Sequence, residues 1–233
     1  MAKSGTETKE RLVETALRLF REDGFQATTM RRIASEAGVS LGNAYYYFEG
    51  KDDLVHELYL VVQRDHRDRA VPLLRDGAPL ADNLRAALHA GLDVMAPYHG
   101  FGGTFVQTAL RTSSRSSPFS DRSTQARSMA VDLMRTVVSL SRQRGSASLE
   151  ERLPVLLWLA YLGVTLHWVL DPSREQSRTR TLVDGVAPLI AKAVNLSRLP
   201  VARGLVDDVL SLMARLMPAG TAAVVPADAE VTR

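Results

Sequence analysis

Apolar residues recur every three or four positions along nearly the whole chain, and that spacing constrains the fold more than any other feature. Val13, Ala16, Leu17 and Phe20 stand at i, i+3, i+4 and i+7, the stripe of an amphipathic helix. Gly24 closes it at a position that tolerates left-handed backbone. Ile33, Ala34 and Ala37 mark a short second helix closed by Gly38, and Leu54, Val55, Leu58, Val61 and Val62 mark a fourth, after a third treated below. Leu84 to Met95, Val131 to Leu140, Leu149 to Leu170, Leu182 to Val194 and Leu205 to Leu216 carry the same period, with stops at Pro97, Pro172 and Pro218 and a kink expected at Pro188. Sustained period-2 runs are missing, and no Asn-Gly or Asp-Gly pair joins alternating segments; Asp76-Gly77 reads as a helix stop. The pattern predicts an all-α chain.

Composition narrows the chemistry. The chain has 233 residues, 45% apolar and 24% charged, an ordinary globular balance. It holds no Cys, which excludes disulfides, a Cys nucleophile and thiolate metal sites. Lys and Arg number 29 against 26 Asp and Glu, so net charge names no partner. The opening MAKSGTETKERL has no apolar core of a secretory signal. Met1 to Thr6 read as a loose basic arm, and the expected location is cytoplasmic. Leu153 to Leu170 carry no Asp, Glu, Lys or Arg and imitate a short membrane span. Pro154, Gly163, Thr165 and His167 within the stretch favour a helix buried in a core or an interface.

The sharp signal lies in Thr28 to Lys51, TTMRRIASEAGVSLGNAYYYFEGK. Thr29 suits the N-cap of a helix starting at Met30, and Ser40 that of one starting at Leu41. Gly38-Val39-Ser40 form a three-residue turn, Gly38 supplying positive φ. Val39 and Ala44 stand where a hydrophobic staple would. Two short helices joined by such a turn make a helix-turn-helix. A helix that enters the major groove needs small or polar residues in its first turn. Leu41 can touch a thymine methyl, Gly42 permits close approach, and Asn43 can pair with an adenine edge. Three successive tyrosines, Tyr45 to Tyr47, cannot share one face. At least one therefore offers its hydroxyl to a phosphate, while Phe48 and Tyr46 face inward. Thr29 and the second helix's N-terminus can meet another phosphate, Arg31 can reach DNA, and Lys51 can neutralise backbone charge.

These residues resemble the DNA-binding domain of the TetR (tetracycline-repressor-like) family of bacterial regulators. The resemblance runs through Gly24-Phe25, Thr28-Thr29, Ile33-Ala34, Ala37-Gly38-Val39-Ser40, Gly42, Tyr45 to Phe48 and Lys51-Asp52-Asp53-Leu54, covering about Leu12 to Leu60. Ala44 departs from the bulkier apolar residue often found there. The resemblance implies DNA contacts at Thr29, Arg31, Ser40, Leu41, Gly42, Asn43, Tyr45, Tyr47 and Lys51. It also implies an all-helical C-terminal domain that pairs through its last helices.

The expected organisation is a DNA-binding domain over 1–50, a ligand-sensing and dimerisation domain over 51–217, and a disordered tail over 218–233. Helices as apolar as those near Leu153 to Leu170 and Leu182 to Leu196 suit a homodimer interface, and a two-fold dimer reads a palindrome. Aromatic and polar residues suited to a small-molecule cavity are Tyr98, Phe101, Phe105, Gln107, Trp158, Tyr161, Thr165, His167 and Trp168, with His89, Met95 and Leu162 beside them. His89 and His99 lack a third ligand, so no metal is expected, and no cofactor is implied. The segment Arg111 to Arg144, with seven Arg and two Asp, reads chiefly as a solvated face. No G-x-S-x-G, Walker or dinucleotide motif appears, so an enzyme is not expected. The reading is a repressor that binds palindromic operator DNA as a dimer and is released by a small molecule, with no membrane partner. The alternative is a helical dimeric interaction module without ligand-responsive DNA binding.

Overall fold

A computed structural model describes residues 2–100, 102–103 and 117–199, together with positions 204, 208, 211 and 215. Eight α-helices run through these residues: α1 Ala2–Glu22, α2 Met30–Glu36, α3 Leu41–Tyr47, α4 Lys51–Ala70, α5 Leu80–Met95, α6 Thr124–Leu140, α7 Ala147–Leu170 and α8 Ser177–Leu196. No strand occurs among the described residues; Ala78 and Ser141 form an isolated bridge. The fold is all-α, as the apolar spacing predicts. Gly204, Asp208, Ser211 and Arg215 are helical and exposed, the spacing of one helix face. The remaining positions of the last expected helix, Leu205 to Leu216, lie outside the described residues, as does the tail.

One expectation changes at the start. Met1 to Thr6 were read as a loose arm, yet α1 begins at Ala2. The segment holds no Pro to block a helix, and Thr6 and the following Glu7 stay exposed, so neither polar side chain is buried at a cost.

The first three helices enclose a small core. Leu12, Ala16, Leu19 and Phe20 of α1 meet Ile33 and Ala34 of α2, Ala44 of α3 and the buried Phe48. Phe20 and Phe25 pack with ring centroids 5.0 Å apart. Ion pairs on the rim join α1 to its neighbours: Arg18 to Glu36 at 2.9 Å and Lys9 to Glu57 of α4 at 2.6 Å. Exposed pairs of this kind contribute at most about 1 kcal/mol each, so the apolar contacts carry this core.

The second half packs α4 against α5 and α6, α6 against α7, and α5 against α8. α7 is long and apolar enough to cross a membrane, but one side of it is buried, with Leu153, Leu157, Trp158, Tyr161, Val164 and Trp168 in the core. Its other side leaves Leu166 and Leu170 exposed, and α8 exposes Leu182, Leu189 and Leu196. Two polar clusters fix the helix ends. Asp93 of α5 accepts from Arg69 of α4 at 3.1 Å and from Arg180 of α8 at 2.8 Å. Burial raises its pKa, but the two guanidinium groups outweigh that and hold it low. Asp171, just past α7, accepts from the N–H and hydroxyl of both Ser173 and Thr179 at 2.7–3.0 Å. Burial opposes its charge, yet these four donors keep it below the usual carboxylate range. They stabilise a turn in which Glu175 and Gln176 both adopt positive φ.

Candidate nucleic-acid interface and cavity

The two caps form as their residue types dictate. The Thr29 hydroxyl accepts from Arg32 N at 3.2 Å and the Ser40 hydroxyl from Asn43 N at 3.1 Å, each satisfying an orphan donor of a first helical turn. Gly38 takes φ +65° in the turn between α2 and α3. Thr28 is buried and donates to Gly24 O at 2.9 Å, so the second threonine alone faces outward. Together these contacts fix the start of α3, and the buried Ala44 and Phe48 hold its inner face on the core.

The outward surface of α3 carries Gly42 and Asn43, both exposed, with open space where a Cβ on Gly42 would stand. Leu41 is half-buried and packs on the core. An open depression brings together Thr29, Arg31, Leu41, Tyr45 and Lys51, five of the nine residues named from sequence. Arg31 is exposed, while Arg32 is paired to Asp23 at 3.0 Å. Lys51 is anchored: its ammonium donates to Phe25 O at 2.7 Å and sits 4.5 Å from the centre of the Phe25 ring. Its charge therefore lies at a fixed place beside the α2 N-terminus rather than on a mobile tether.

The tyrosines need a correction. Tyr46, read from sequence as inward, is 81% exposed, and Tyr45 is 50% exposed. Tyr47 is half-buried, its hydroxyl near Gly5 of α1 and its ring edge-on to Tyr46 at 5.1 Å. The reason is angular. Ala44 and Phe48 point inward four residues apart, and Tyr46 falls about 200° around the helix from Ala44. The outward hydroxyls belong to Tyr45 and Tyr46, and Tyr47 chiefly braces α3 against α1.

A cavity of about 310 Å³ lies in the second half, between α4, the end of α5 and α7. Of the residues expected there, Met95, Tyr98, Tyr161, Leu162, Thr165 and Trp168 line it. Trp158 does not; it is fully buried behind the wall, edge-on to Phe119 at 5.5 Å. His167 is exposed and bonds through Nδ1 to Thr179 Oγ1 at 2.8 Å, and His89 pairs with Asp184 at 2.9 Å. Both histidines join helices instead of facing the cavity. His99 bonds to Trp168 O at 3.0 Å. Phe101, Phe105 and Gln107 lie outside the described residues. Sequence reasoning missed the α4 contribution: Leu58, Tyr59, Val62 and Gln63 form part of the wall. Their i, i+4 pairs were the available signal, since Leu58 with Val62 and Tyr59 with Gln63 make two adjacent stripes on one helix.

The basic segment also resolves. Arg122 pairs with Asp53, Arg135 with Asp132, and Arg127 is buried and donates to Pro118 O and Ser120 O at 2.9 and 3.2 Å. Arg144 donates to Val138 O. Among the described residues of this segment, these four arginines are engaged within the chain.

Comparison with known proteins places this geometry. Residues 12–58 match the family described as bacterial regulatory proteins, tetR family, and residues 83–212 match the tetracyclin repressor-like C-terminal domain. The curated relatives match locally. The HTH-type transcriptional regulator YerO of Bacillus subtilis (strain 168) is 49% identical over 49 residues, 21% of this chain and 17% of that protein. An HTH-type transcriptional regulator of Staphylococcus aureus (strain USA300) is 42% identical over 65 residues, 28% of this chain and 34% of that protein. The matches thus span about a third or less of those relatives. Among solved structures, the fold is similar to a TetR transcriptional regulator from Nitrosomonas europaea ATCC 19718, with TM-score 0.56 and 18% identity over 78% of this chain and 96% of that one. It is also similar to FadR of Thermus thermophilus, a TetR-family repressor solved with lauroyl-CoA, with TM-score 0.57 and 22% identity over 77% and 93% of the two chains. The chain belongs to the TetR family of bacterial regulatory proteins.

Proposed function

We propose that this protein is a transcriptional repressor that binds palindromic operator DNA as a homodimer and leaves it when a small molecule enters the cavity. The proposed division is a DNA reader over 1–50 and a sensing and pairing unit over 51–217, acting in the cytoplasm. The observation that carries the reading is the double role of α4. Its first turn holds Lys51 on Phe25 O and bonds Asp53 Oδ2 to Glu49 N at 2.8 Å, against the reader. Two and three turns later the same helix walls the cavity through Leu58, Tyr59, Val62 and Gln63. A ligand that favours a different tilt of α4 shifts both recognition helices together, and only such differential binding can move the equilibrium.

The exposed first turn of α3 suits base reading at Asn43 with Gly42 and Leu41 beside it, while Thr29, Arg31, Ser40, Tyr45 and Lys51 suit phosphate contact. The exposed leucines on α7 and α8 suit pairing of two copies. The lauroyl-CoA of the Thermus thermophilus FadR structure supports taking a cavity in this fold as an effector site.

The test is selection of bound fragments from genomic DNA with the full chain, followed by mobility shift on the enriched sequence. Enrichment of a palindrome bound by a dimer is the expected result. Failure to enrich any sequence above non-specific binding would overturn the reading in favour of a helical interaction module.

A further inference from the structure

The chemistry of the cavity wall limits what can enter it. No Asp, Glu, Lys, Arg or His lines it among the described residues. Its aliphatic and aromatic wall leaves only a few polar groups, and most of those are engaged. Thr165 donates its hydroxyl to Tyr161 O at 2.9 Å, and the Tyr161 hydroxyl points at Met95 Sδ, 3.7 Å away. Burial pushes the Tyr161 phenol up to about 12, so it stays uncharged at physiological pH. Moving an ionised ligand group from water into such a wall is costly without a paired counter-charge.

One polar atom is unaccounted for. Gln63 is 2% exposed and contributes to the wall, and its Oε1 has no hydrogen-bond partner among the described residues. Its amide is otherwise within reach of the Tyr161 hydroxyl. A buried acceptor without a donor is destabilising and rare in native structures. A ligand that brings one donor to this atom relieves that cost, whereas a ligand with only acceptors leaves it.

We infer that the cavity takes an uncharged, largely apolar molecule carrying a hydroxyl or N–H donor, and that Gln63 is the residue that selects for that donor. At about 310 Å³ the space lies near the low end of small-molecule sites, which suits a medium-length aliphatic alcohol or a small aromatic one. The inference rests on reading the cavity as the effector site, and adds the charge and polarity of the effector.

The experiment is titration of the full chain, without DNA, with decan-1-ol, sodium decanoate and methyl decanoate at pH 7.5. Tryptophan emission and calorimetry report binding, since Trp168 stands in the wall and the chain has two tryptophans. Saturable binding of decan-1-ol is expected, with decanoate weaker by about tenfold or more. Gln63→Met should weaken decan-1-ol roughly two- to tenfold and leave methyl decanoate unchanged. Decanoate binding as tightly as the alcohol, an unchanged alcohol affinity in Gln63→Met, equal loss for alcohol and ester, or no saturable binding of any probe each overturns the inference. Should Gln63→Met not fold, the wild-type chain gives the same answer from decan-1-ol against 1-methoxydecane, which lacks the donor; equal affinities then overturn it. Decan-1-ol that binds yet leaves DNA affinity unchanged counts against ligand release and not against the assignment of Gln63.

Discussion

Arg122 Nη1 lies 2.7 Å from Asp53 Oδ1, and through this pair the rim of the cavity is joined to the end of α3. Arg122 stands three residues past Phe119, which is part of the cavity wall. The other oxygen of Asp53 accepts the Glu49 N–H, one residue beyond Phe48 at the end of α3. A second contact runs parallel to it: the Arg21 guanidinium of α1 lies over the ring of Tyr98, another wall residue, at 5.7 Å.

Arg122→Ala should therefore weaken DNA binding as well as stability, each by a small amount. The pair is partly exposed, so its loss costs at most about 1 kcal/mol of folding free energy. Affinity for a selected operator fragment should fall by roughly two- to fivefold, within that same energy. Arg122→Ala combined with Asp53→Asn should lose no more than either change alone, because both remove one contact. Mobility shift and thermal melting on the three variants check this, and additive losses would mean that the two residues act separately.

Base reading and phosphate contact separate by their salt dependence. Asn43→Ala should relax preference at one base pair, at a cost of about 1–3 kcal/mol on the best sequence and little on others. Tyr45→Phe and Tyr46→Phe should weaken all sequences alike, because both hydroxyls face out. Tyr47→Phe should leave DNA affinity nearly unaltered and lower the melting temperature slightly. Titration against matched and mismatched fragments at several salt concentrations distinguishes these outcomes.

The local parts of this site were legible in the sequence because their causes are local. Thr29 and Ser40 cap helices through bonds that span three residues, and Gly38 meets a backbone need within one turn. Tyr46 escaped because three consecutive tyrosines carry no polarity contrast, so hydropathy cannot tell which faces out; only the placement of Ala44 and Phe48 against α1 decides. Trp158 and His167 were placed at the cavity from residue type, yet a helix apolar on all sides has no readable inner face. The packing of α5 and α6 against α7 turned Trp158 into the core, and the α8 start drew His167 to Thr179.

Gly91 admits the close meeting of His66 and Tyr161. A Cβ at that position would stand 3.0 Å from both rings, which are themselves 5.0 Å apart. Gly91→Ala should destabilise by about 1–3 kcal/mol, the usual cost of overpacking a filled core. The gain in helix propensity from Gly to Ala, up to about 1 kcal/mol, offsets part of this at most. Chemical denaturation of the variant checks the sign, and stabilisation would show that the rings move aside freely.

His66 predicts a mild-acid weakness. Burial lowers its pKa below the ordinary 6.5, although its bond to Ala87 O at 2.8 Å works the other way. The folded chain therefore keeps the ring neutral while the unfolded chain protonates near 6.5. The unfolded state binds more protons in that window, so stability falls as pH drops below about 6.5. His66→Gln should flatten this part of the melting-temperature profile between pH 7.5 and 5, and an unchanged slope would assign the effect to other groups.

The leucines left outside on α7 and α8 make the last prediction. Leu170, Leu189 and Leu196 are each more than half exposed, and Leu166 and Leu182 lie nearby in exposure. Isolated exposed leucines are ordinary, but five on two adjacent helices, among small residues such as Gly163 and Gly185, form a face suited to another helix pair. The proposed occupant is a second copy, because a two-fold arrangement would set α7 and α8 against themselves and place two α3 helices for successive major grooves, roughly 34–36 Å apart. Leu189→Glu puts a charge into that face without touching the core. Sedimentation should then show a monomer where the unaltered chain is expected to sediment as a dimer, with the helical content retained. Operator affinity should fall far more than non-specific binding, because one recognition helix reads only a half-site. A Leu189→Glu chain that stays dimeric would place the interface on another surface.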